Sequence, residues 1–269
     1  MTATPGDDQL IRTWADRLRS EFPDAVAIIL KGSHARGGAG RFSDIDFDVL
    51  TEGERVERYP VWIEPDSSGR PRHISVAVQD LDAWLDAGSE PESWAFGLPV
   101  REDTRLLWTA RPELRATLDR PWRPHPPEDP ELEDFVESLG KARNALDASD
   151  EPGLHLATRG VARYAPTLLR PLNPDVWASS PRTALEGVLS FAVAPPGYRT
   201  DMLACLGFTP SASPTALFDA ASRLVTGTLA LLMEHIDTVT PLLPDDLAEL
   251  LRHGTLRRYV DFLLSGDEP

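Results

Sequence analysis

The chain has 269 residues, of which 41% are hydrophobic and 26% charged, as is ordinary for a globular protein with one large or two modest domains. No apolar run approaches the ~20 residues of a membrane span, the polar N-terminus is unlike a secretory signal, and the single cysteine, Cys205, excludes an internal disulfide. The net charge of −16 argues against a nucleic-acid binder, which would need a basic surface. These features predict a cytoplasmic protein without a membrane or nucleic-acid partner.

The first half of the chain mixes helical and strand patterns, as is typical of an α/β domain. Apolar residues at helical spacing predict a helix over residues 7–22, and the apolar run 25–30 predicts a strand that is buried on both faces. The later patterns predict strands over residues 43–50, 59–64, 72–79 and 104–108, a hairpin loop over 66–70, and helices over 80–86, 90–98 and 112–118.

A proline-rich segment divides the chain. Residues 121–130 contain five prolines, which can neither pair in a sheet nor continue a helix, so we predict a stiff linker there. The remainder predicts helices over residues 131–147, 154–169, 182–189, 198–206, 214–235 and 245–264. The predicted domains are therefore an α/β domain at residues 1–123 and an all-α domain at residues 124–269.

The stretch from residue 27 to residue 50 carries the candidate chemistry of the first domain. Side chains two apart on a strand share a face, so Asp44, Asp46 and Asp48 are expected on one face and the apolar residues between them on the other. Carboxylates on one face repel each other unless a cation lies between them, and a divalent metal is the usual cation. Upstream, Gly32 and Ser33 follow the apolar strand, where backbone N–H groups and a hydroxyl can hold phosphate oxygens. Together these features predict a nucleotidyl-transfer site.

Lysine is rare in this chain. Of 27 basic residues only two are lysines, Lys31 and Lys141, and a position that keeps lysine against this background indicates a need for a compact ammonium. Lys31 directly precedes Gly32. Lys141 lies four residues after Glu137, hence on the same face of a predicted helix. By spacing alone, Glu137 and Lys141 fit either a catalytic pair or a surface ion pair worth ~0.3–0.5 kcal/mol.

The order of these motifs resembles a known family. Gly32-Ser33, then ten residues that include Arg36 and Gly37, then Asp44-x-Asp46, is similar to the signature of the DNA polymerase β-like nucleotidyltransferase superfamily. The run Glu-x-x-Gly-Lys-x-Arg-Asn over residues 137–144 is similar to one in the kanamycin (aminoglycoside) nucleotidyltransferases. The resemblance covers most of the chain and is strongest in these two blocks. It implies an α+β fold, with an N-terminal polymerase β-like α/β domain containing a mixed sheet and a C-terminal all-α helical domain that contributes to the substrate and nucleotide site.

The resemblance also implies roles for individual residues. Gly32 and Ser33 would hold the triphosphate of ATP or another NTP, while Asp44 and Asp46 would bind Mg²⁺. Arg36 would either reach phosphate or be an ordinary surface arginine, and Asp48 would only flank the metal pair.

In the helical domain, the resemblance implies that Glu137 deprotonates the hydroxyl of the acceptor and that Lys141 steadies the α-phosphate. The expected reaction is attack of that hydroxyl on the α-phosphorus with release of pyrophosphate. The resemblance further implies a homodimer.

The sequence departs from the family at one position. A third carboxylate is expected on the strand over residues 72–79, where the matching position is Ser75, and no Asp or Glu occurs between Asp66 and Asp80. His73 shares the face of Ser75, but imidazole suits softer ions than Mg²⁺. Glu64, on the preceding strand, is a distant substitute. The departure leaves the extent of catalytic activity open.

Three functions therefore remain as hypotheses. The first is a nucleotidyltransferase that acts on a hydroxyl of a small, cationic molecule such as an aminoglycoside. The acidic surface would either steer such cations to the protein or serve only its solubility. The second is a toxin-type nucleotidyltransferase acting on RNA or protein, which the negative charge opposes. The third is a catalytically weakened relative that binds a nucleotide or another ligand without turnover.

Overall fold

The computed structural model describes residues 5–53, 58–66, 68–87, 96–98, 103–118 and 131–265. The chain divides into two compact units, one built from residues 1–90 and 100–124 and the other from residues 91–99 and 125–269. The proline-rich linker predicted over 121–130 lies outside the described residues, so the predicted domain boundary at residue 123 stays a prediction.

The first unit is built on a five-stranded sheet with the order β3-β4-β2-β1-β5. Strand β2 runs parallel to β4, and the other three pairings are antiparallel, which confirms the expected mixed sheet. The strands are β1 Ala25–Lys31, β2 Ile45–Thr51, β3 Val61–Pro65, β4 Pro71–Asp80 and β5 Thr104–Thr109, and the helices of this unit are α1 Pro5–Glu21, α2 Gly32–Arg36, α3 Leu81–Ala87 and α4 Glu113–Leu118.

Alternation along the central strands separates the two faces of the sheet. One face is covered by α1, whose Ile11, Trp14 and Leu18 pack with Ile45, Phe47 and the other apolar residues on that side of β2 and β4. The opposite face has two different halves. Half of it is covered by α3 and α4 over a small apolar cluster that includes Ile29, Leu50 and Leu81. The other half carries the polar side chains of β2 and β4.

Strands β3 and β4 form the predicted hairpin, and Asp66 organises its turn. One carboxylate oxygen, Oδ1, accepts hydrogen bonds from the backbone N–H groups of Ser68 and Arg70 and from the Ser68 hydroxyl. The guanidinium of Arg70 binds the other oxygen, Oδ2. The Ser68 hydroxyl, the two backbone N–H groups and the Arg70 charge together lower the pKa of Asp66 to about 2.

The second unit is helical in all of its described elements. Its longer helices are α5 Leu132–Asp147, α6 Glu151–Leu169, α9 Pro214–Glu234 and α12 Thr255–Ser265, and its shorter ones are α7 Pro181–Val188, α8 Tyr198–Cys205, α10 Ile236–Val239 and α11 Asp245–Arg252. Helix α9 contacts α5, α6, α8 and α12. Among the described residues α9 is long and apolar enough to span a membrane, but half of it is buried in this unit, as expected for a core helix.

One predicted helix is interrupted in the structure, and the helix predicted over residues 90–98, which leads into a bend, falls mostly outside the described residues. The helix predicted over residues 245–264 is interrupted between α11 and α12, because Gly254 has a positive φ of 65° that ends α11 and turns the chain. Arg258 then donates a hydrogen bond to the carbonyl of His253 at this break. Of the helix predicted over 90–98, only residues 96–98 are described, and Phe96 and Gly97 form a turn.

Two glycines of the helical unit have opposite surroundings. A Cβ added to Gly160 on α6 would lie 2.7 Å from Oγ and 3.3 Å from Cβ of Ser138 on α5, whereas one added to Gly140 would meet nothing closer than 3.7 Å. We expect Gly160→Ala to lower the free energy of unfolding by about 1 kcal/mol or more through overpacking. Gly140→Ala should raise it by about 0.5–1 kcal/mol through helix propensity. Denaturant titration measures both, and stabilisation by both changes would contradict the close α5–α6 packing.

The lowered pKa of Asp66 predicts how the stability of the protein changes at acidic pH. A pKa lowered in the folded state stabilises the fold at neutral pH, and this contribution is lost as the pH falls through the range between ~4 and 2. We expect Asp66→Asn to lower the melting temperature at pH 7 and to leave it close to that of the natural protein near pH 2. The melting temperatures of both proteins between pH 7 and 2 check this. A constant difference across the range would contradict it.

Candidate functional site

The half of the sheet face that carries the polar side chains of β2 and β4 is called the open half. Here the predicted residues of β2 lie beside β4. In the parallel register, Asp46 lies opposite Ser75 and Asp48 lies opposite Ala77, while Lys31 of β1 lies opposite Asp46 on the other side. Asp44 directly precedes β2 and is exposed. The carboxylates of β2 therefore lie on the face opposite the Phe47 core, as alternation predicts.

Asp46 is at the centre of this group. Its Oδ1 accepts a short hydrogen bond from the hydroxyl of Ser75. Its Oδ2 lies 3.6 Å from the position that a Cβ on Gly32 would occupy, and Gly32 has a positive φ of 64°. The Gly32-Ser33 turn and the Asp46 carboxylate are therefore neighbours. Ser75, which the family resemblance places at the third carboxylate position, is also in contact with Asp46.

Asp48 has a different role from Asp46. It is fully buried, and its Oδ1 accepts a hydrogen bond from Gln79 Nε2 at 3.0 Å while its Oδ2 accepts one from Trp84 Nε1 at 2.7 Å. Lys31 Nζ lies 3.4 Å from Oδ1. This environment fits the expectation that Asp48 only flanks the predicted metal ligands Asp44 and Asp46. A buried carboxylate that already contacts three donors has a structural role.

The Gly32-Ser33 turn, which the sequence predicts to bind phosphate, has fewer unoccupied hydrogen-bond donors than expected. The backbone N–H of Gly32, at the start of α2, donates to the carbonyl oxygen of Asp103 at 2.9 Å. Arg36 Nη1, at the end of α2, lies 2.6 Å from Asp103 Oδ2. Within the described part of the chain the Ser33 hydroxyl makes no hydrogen bond. To bind a phosphate, Arg36 would have to exchange its partner Asp103.

His34 and Arg72 hold the loop between α2 and β2. Both are buried, and Arg72 Nη2 lies 3.2 Å from His34 Nε2 while Nη1 donates to the carbonyl oxygen of Arg41. Because a guanidinium can only donate, Nε2 of His34 is the acceptor, and the ring is neutral in this arrangement. These contacts indicate that His34 shapes the loop rather than transferring protons.

The oxygen donors present fit one magnesium ion better than two. Mg²⁺ in nucleotide sites is held by one or two carboxylates together with phosphate oxygens and water, and Asp44 and Asp46 supply the two carboxylates. His73 Nδ1 lies 3.9 Å from Asp44 Oδ2 and adds only an imidazole. Glu64 alternates onto the face of β3 that carries Trp62, and its Oε1 binds Arg17 of α1 at 2.7 Å. Among the described residues no cluster of three metal-ligating side chains occurs.

The second predicted pair lies on α5 in the helical unit. Lys141 Nζ is 3.0 Å from Glu137 Oε2, and both side chains are more than half exposed. The hydrogen bond to Glu137 is the main reason why the pKa of Lys141 is raised, with Asp134 contributing further negative charge. The ammonium therefore stays protonated at neutral pH. This ion pair is the surface interaction that the spacing allowed, and its geometry leaves both groups accessible.

The thiol of Cys205, on α8, is buried. Cys205 is a free thiol whose pKa burial raises to about 12, so it is not a nucleophile at neutral pH. Trp62 and Trp108 pack against the main core of the first unit, and Trp84 packs against the smaller cluster.

Sequence reasoning missed the partners of Asp48, because only the parallel register places Gln79 and α3 beside that carboxylate.

Comparison with known proteins agrees with this arrangement. Residues 11–88 match the family model described as a nucleotidyltransferase domain, and residues 131–234 match the model described as a nucleotidyltransferase substrate binding domain. None of the curated proteins gives a significant match. Among solved structures, the chain is similar to the crystal structure of a nucleotidyltransferase-like protein from Exiguobacterium sibiricum 255-15, with 14% identity, a TM-score of 0.47, and coverage of 95% of this chain and 92% of that one.

The two family models match separate segments, a nucleotidyltransferase domain followed by a substrate binding domain. Together the matched segments cover more than half of the 269 residues. The first contains the Gly32-Ser33 turn and both exposed-face aspartates, Asp44 and Asp46, and the second contains Glu137 and Lys141. The chain belongs to the DNA polymerase β-like nucleotidyltransferase superfamily.

Proposed function

We propose that this nucleotidyltransferase moves a nucleoside monophosphate from ATP or another NTP to a hydroxyl of a small, cationic molecule such as an aminoglycoside, releasing pyrophosphate. The observation that carries the proposal is the Asp46 carboxylate beside the Gly32-Ser33 turn on the open half of the sheet. A metal-binding carboxylate and a phosphate-binding turn in contact are the parts that nucleotidyl transfer needs.

In the first unit, Ser33 is proposed to donate its hydroxyl to the triphosphate, together with the backbone at Gly32-Ser33. Asp44 and Asp46 are proposed to hold Mg²⁺, which when bound offsets negative charge on the phosphates. Arg36 is proposed to contact phosphate by exchanging its partner Asp103, since that ion pair is more than a third exposed and is therefore weakly held.

In the helical unit, Glu137 is proposed to accept the proton of the attacking hydroxyl. Its ion pair with Lys141 supports this role, because it holds the carboxylate beside the ammonium that is proposed to contact the α-phosphate. Lys141 is proposed to contact the α-phosphate, where its raised pKa keeps the positive charge in place during transfer.

The acidic character of the chain supports a cationic acceptor. The net charge of −16 raises the local concentration of cations around the molecule. The same charge opposes the toxin-type alternative, whose RNA substrate would be repelled. We further propose a homodimer and a cytoplasmic location; the resemblance to the kanamycin nucleotidyltransferases supports the dimer, and light scattering in solution tests it.

A weakened catalyst is the second candidate, and one observation favours it. The family resemblance puts a third carboxylate at the position of Ser75, and the hydroxyl of Ser75 donates a hydrogen bond to Asp46. Two-metal sites stabilise both the attacking and the leaving oxygen. A site with one ion would bind the nucleotide and transfer it slowly or not at all.

The first prediction separates transfer from binding. With Mg²⁺, an NTP panel and an aminoglycoside panel, we expect pyrophosphate release that depends on both the metal and the acceptor. Glu137→Gln should lower the rate by about 10²–10⁴-fold, because the amide cannot accept the proton. The control is Glu186→Gln, which removes a carboxylate from another exposed i,i+4 ion pair of the helical unit and should leave the rate unchanged. Nucleotide binding without release for every acceptor would favour the weakened relative.

A second prediction concerns the position of the missing ligand. Ser75→Asp adds a carboxylate beside Asp46, so without metal the repulsion should lower the melting temperature, and millimolar Mg²⁺ should restore it. The rate of pyrophosphate release should rise by about tenfold if the added ligand completes the site. Ser75→Asn, which has the same shape without the charge, should show neither the metal-dependent melting temperature nor the higher rate. Equal behaviour of the two variants would contradict the assignment of Ser75 to the third ligand position.

A further inference from the structure

Lys31 is the charged group of the open sheet face that the proposed mechanism leaves without a role. Lys31 is the last residue of β1, and in the antiparallel register it lies opposite Asp46 of β2. The next residue begins the Gly32-Ser33 turn. Its ammonium lies 3.4 Å from Asp48 Oδ1, and its side chain is 24% exposed although Asp48 is fully buried. A cation is therefore held between the phosphate-binding turn and two carboxylates.

The distance between the Lys31 ammonium and Asp48 is longer than is usual for a buried ion pair. Charge-assisted N–H···O bonds are usually 2.7–2.9 Å long, whereas Trp84 and Gln79 approach the same carboxylate at 2.7 and 3.0 Å. Asp48 therefore has close neutral donors on both of its oxygens. Its negative charge sets the position of Lys31, while an ammonium with three donors has the capacity to bind a second anion.

The charges on this face also differ from those of a three-carboxylate site. Ser75 contributes a hydroxyl to Asp46 where a third carboxylate would add a negative charge. The negative charge available to hold metal ions is correspondingly smaller, while the positive charge of Lys31 is fixed nearby. A lysine is also unusual here, because 25 of the 27 basic residues of the chain are arginines.

From these contacts we infer that Lys31 binds the triphosphate of the nucleotide directly, an inference that rests on the proposed function. Its ammonium supplies positive charge that a second metal ion would supply in a three-carboxylate site. Asp48 acts as a positioning residue that holds this ammonium at the open face through the buried contacts with Gln79 and Trp84. A compact ammonium suits this place, since it contacts Asp48 and a phosphate oxygen without the planar geometry of a guanidinium.

The test is equilibrium binding of Mg·ATP and of Mg·tripolyphosphate, which carries the phosphate chain without a base. Lys31→Gln keeps a donor toward Asp48 and removes the charge, so we expect the Kd for both ligands to rise at least tenfold, about the loss of one charge-assisted hydrogen bond. Lys31→Arg keeps the charge but not the compact shape, so its loss of affinity should be smaller than that of Lys31→Gln. The matched control is Arg17→Gln, which removes one positive charge from an exposed ion pair with Glu64 in the same unit and should change neither Kd.

A second measurement needs no substitution, because the chain has only two lysines. The natural protein is labelled with an amine-reactive reagent with and without Mg·tripolyphosphate, and the labelled peptides are quantified by mass spectrometry. We expect the labelling of Lys31 to slow when the ligand is bound.

Unchanged affinity in Lys31→Gln, or unchanged labelling of Lys31 in a protein that binds the triphosphate, overturns this inference and leaves the proposed function standing. Failure of the natural protein to bind any nucleoside triphosphate overturns the proposed function and the inference with it. Equal losses of affinity in Lys31→Gln and Arg17→Gln would show that the affinity follows the net charge of the unit and not a contact of Lys31, and would also overturn the inference.

Discussion

The buried carboxylate of Asp48 is the constraint on which the first unit depends. A fully buried charge is expensive unless it is paired and hydrogen-bonded. Its partners come from β1, β4 and α3, through Lys31, Gln79 and Trp84. Satisfying one carboxylate therefore requires three separate elements to be in place around β2. The same contacts fix the parallel alignment of β2 and β4 that positions Asp46.

The aspartates at the beginning of β2 are more accessible to solvent than Asp48. Asp44 is exposed and Asp46 is only partly buried, so their charges remain available to a ligand from solution. The hydroxyl of Ser75 steadies one oxygen of Asp46, and the buried contact between Arg72 and His34 holds the loop that leads to Asp44. A rigid interior thus supports an accessible edge, which is the arrangement expected of a ligand site on a stable scaffold.

Sequence patterns predicted most elements because each depends on local chemistry. The two-residue alternation of β2 placed Phe47 in the core and Asp46 on the other face, and helical spacing identified α1, α5, α6 and α9 close to their observed bounds. The error at residues 245–264 arose because the apolar spacing continues through the break. The helix is interrupted by the left-handed backbone at Gly254, which the apolar pattern alone does not indicate.

The candidate site was only partly predictable for a related reason. The sequence by itself determined the residue types and spacings, Gly32-Ser33, Asp44-x-Asp46 and Glu137 with Lys141, because these lie within single strands, turns or helices. The tertiary structure decided which residues become neighbours: Ser75 with Asp46, Arg36 with Asp103, and Lys31, Gln79 and Trp84 with Asp48. These contacts depend on strand order and register, which are set by packing between distant segments and leave no local periodicity in the sequence.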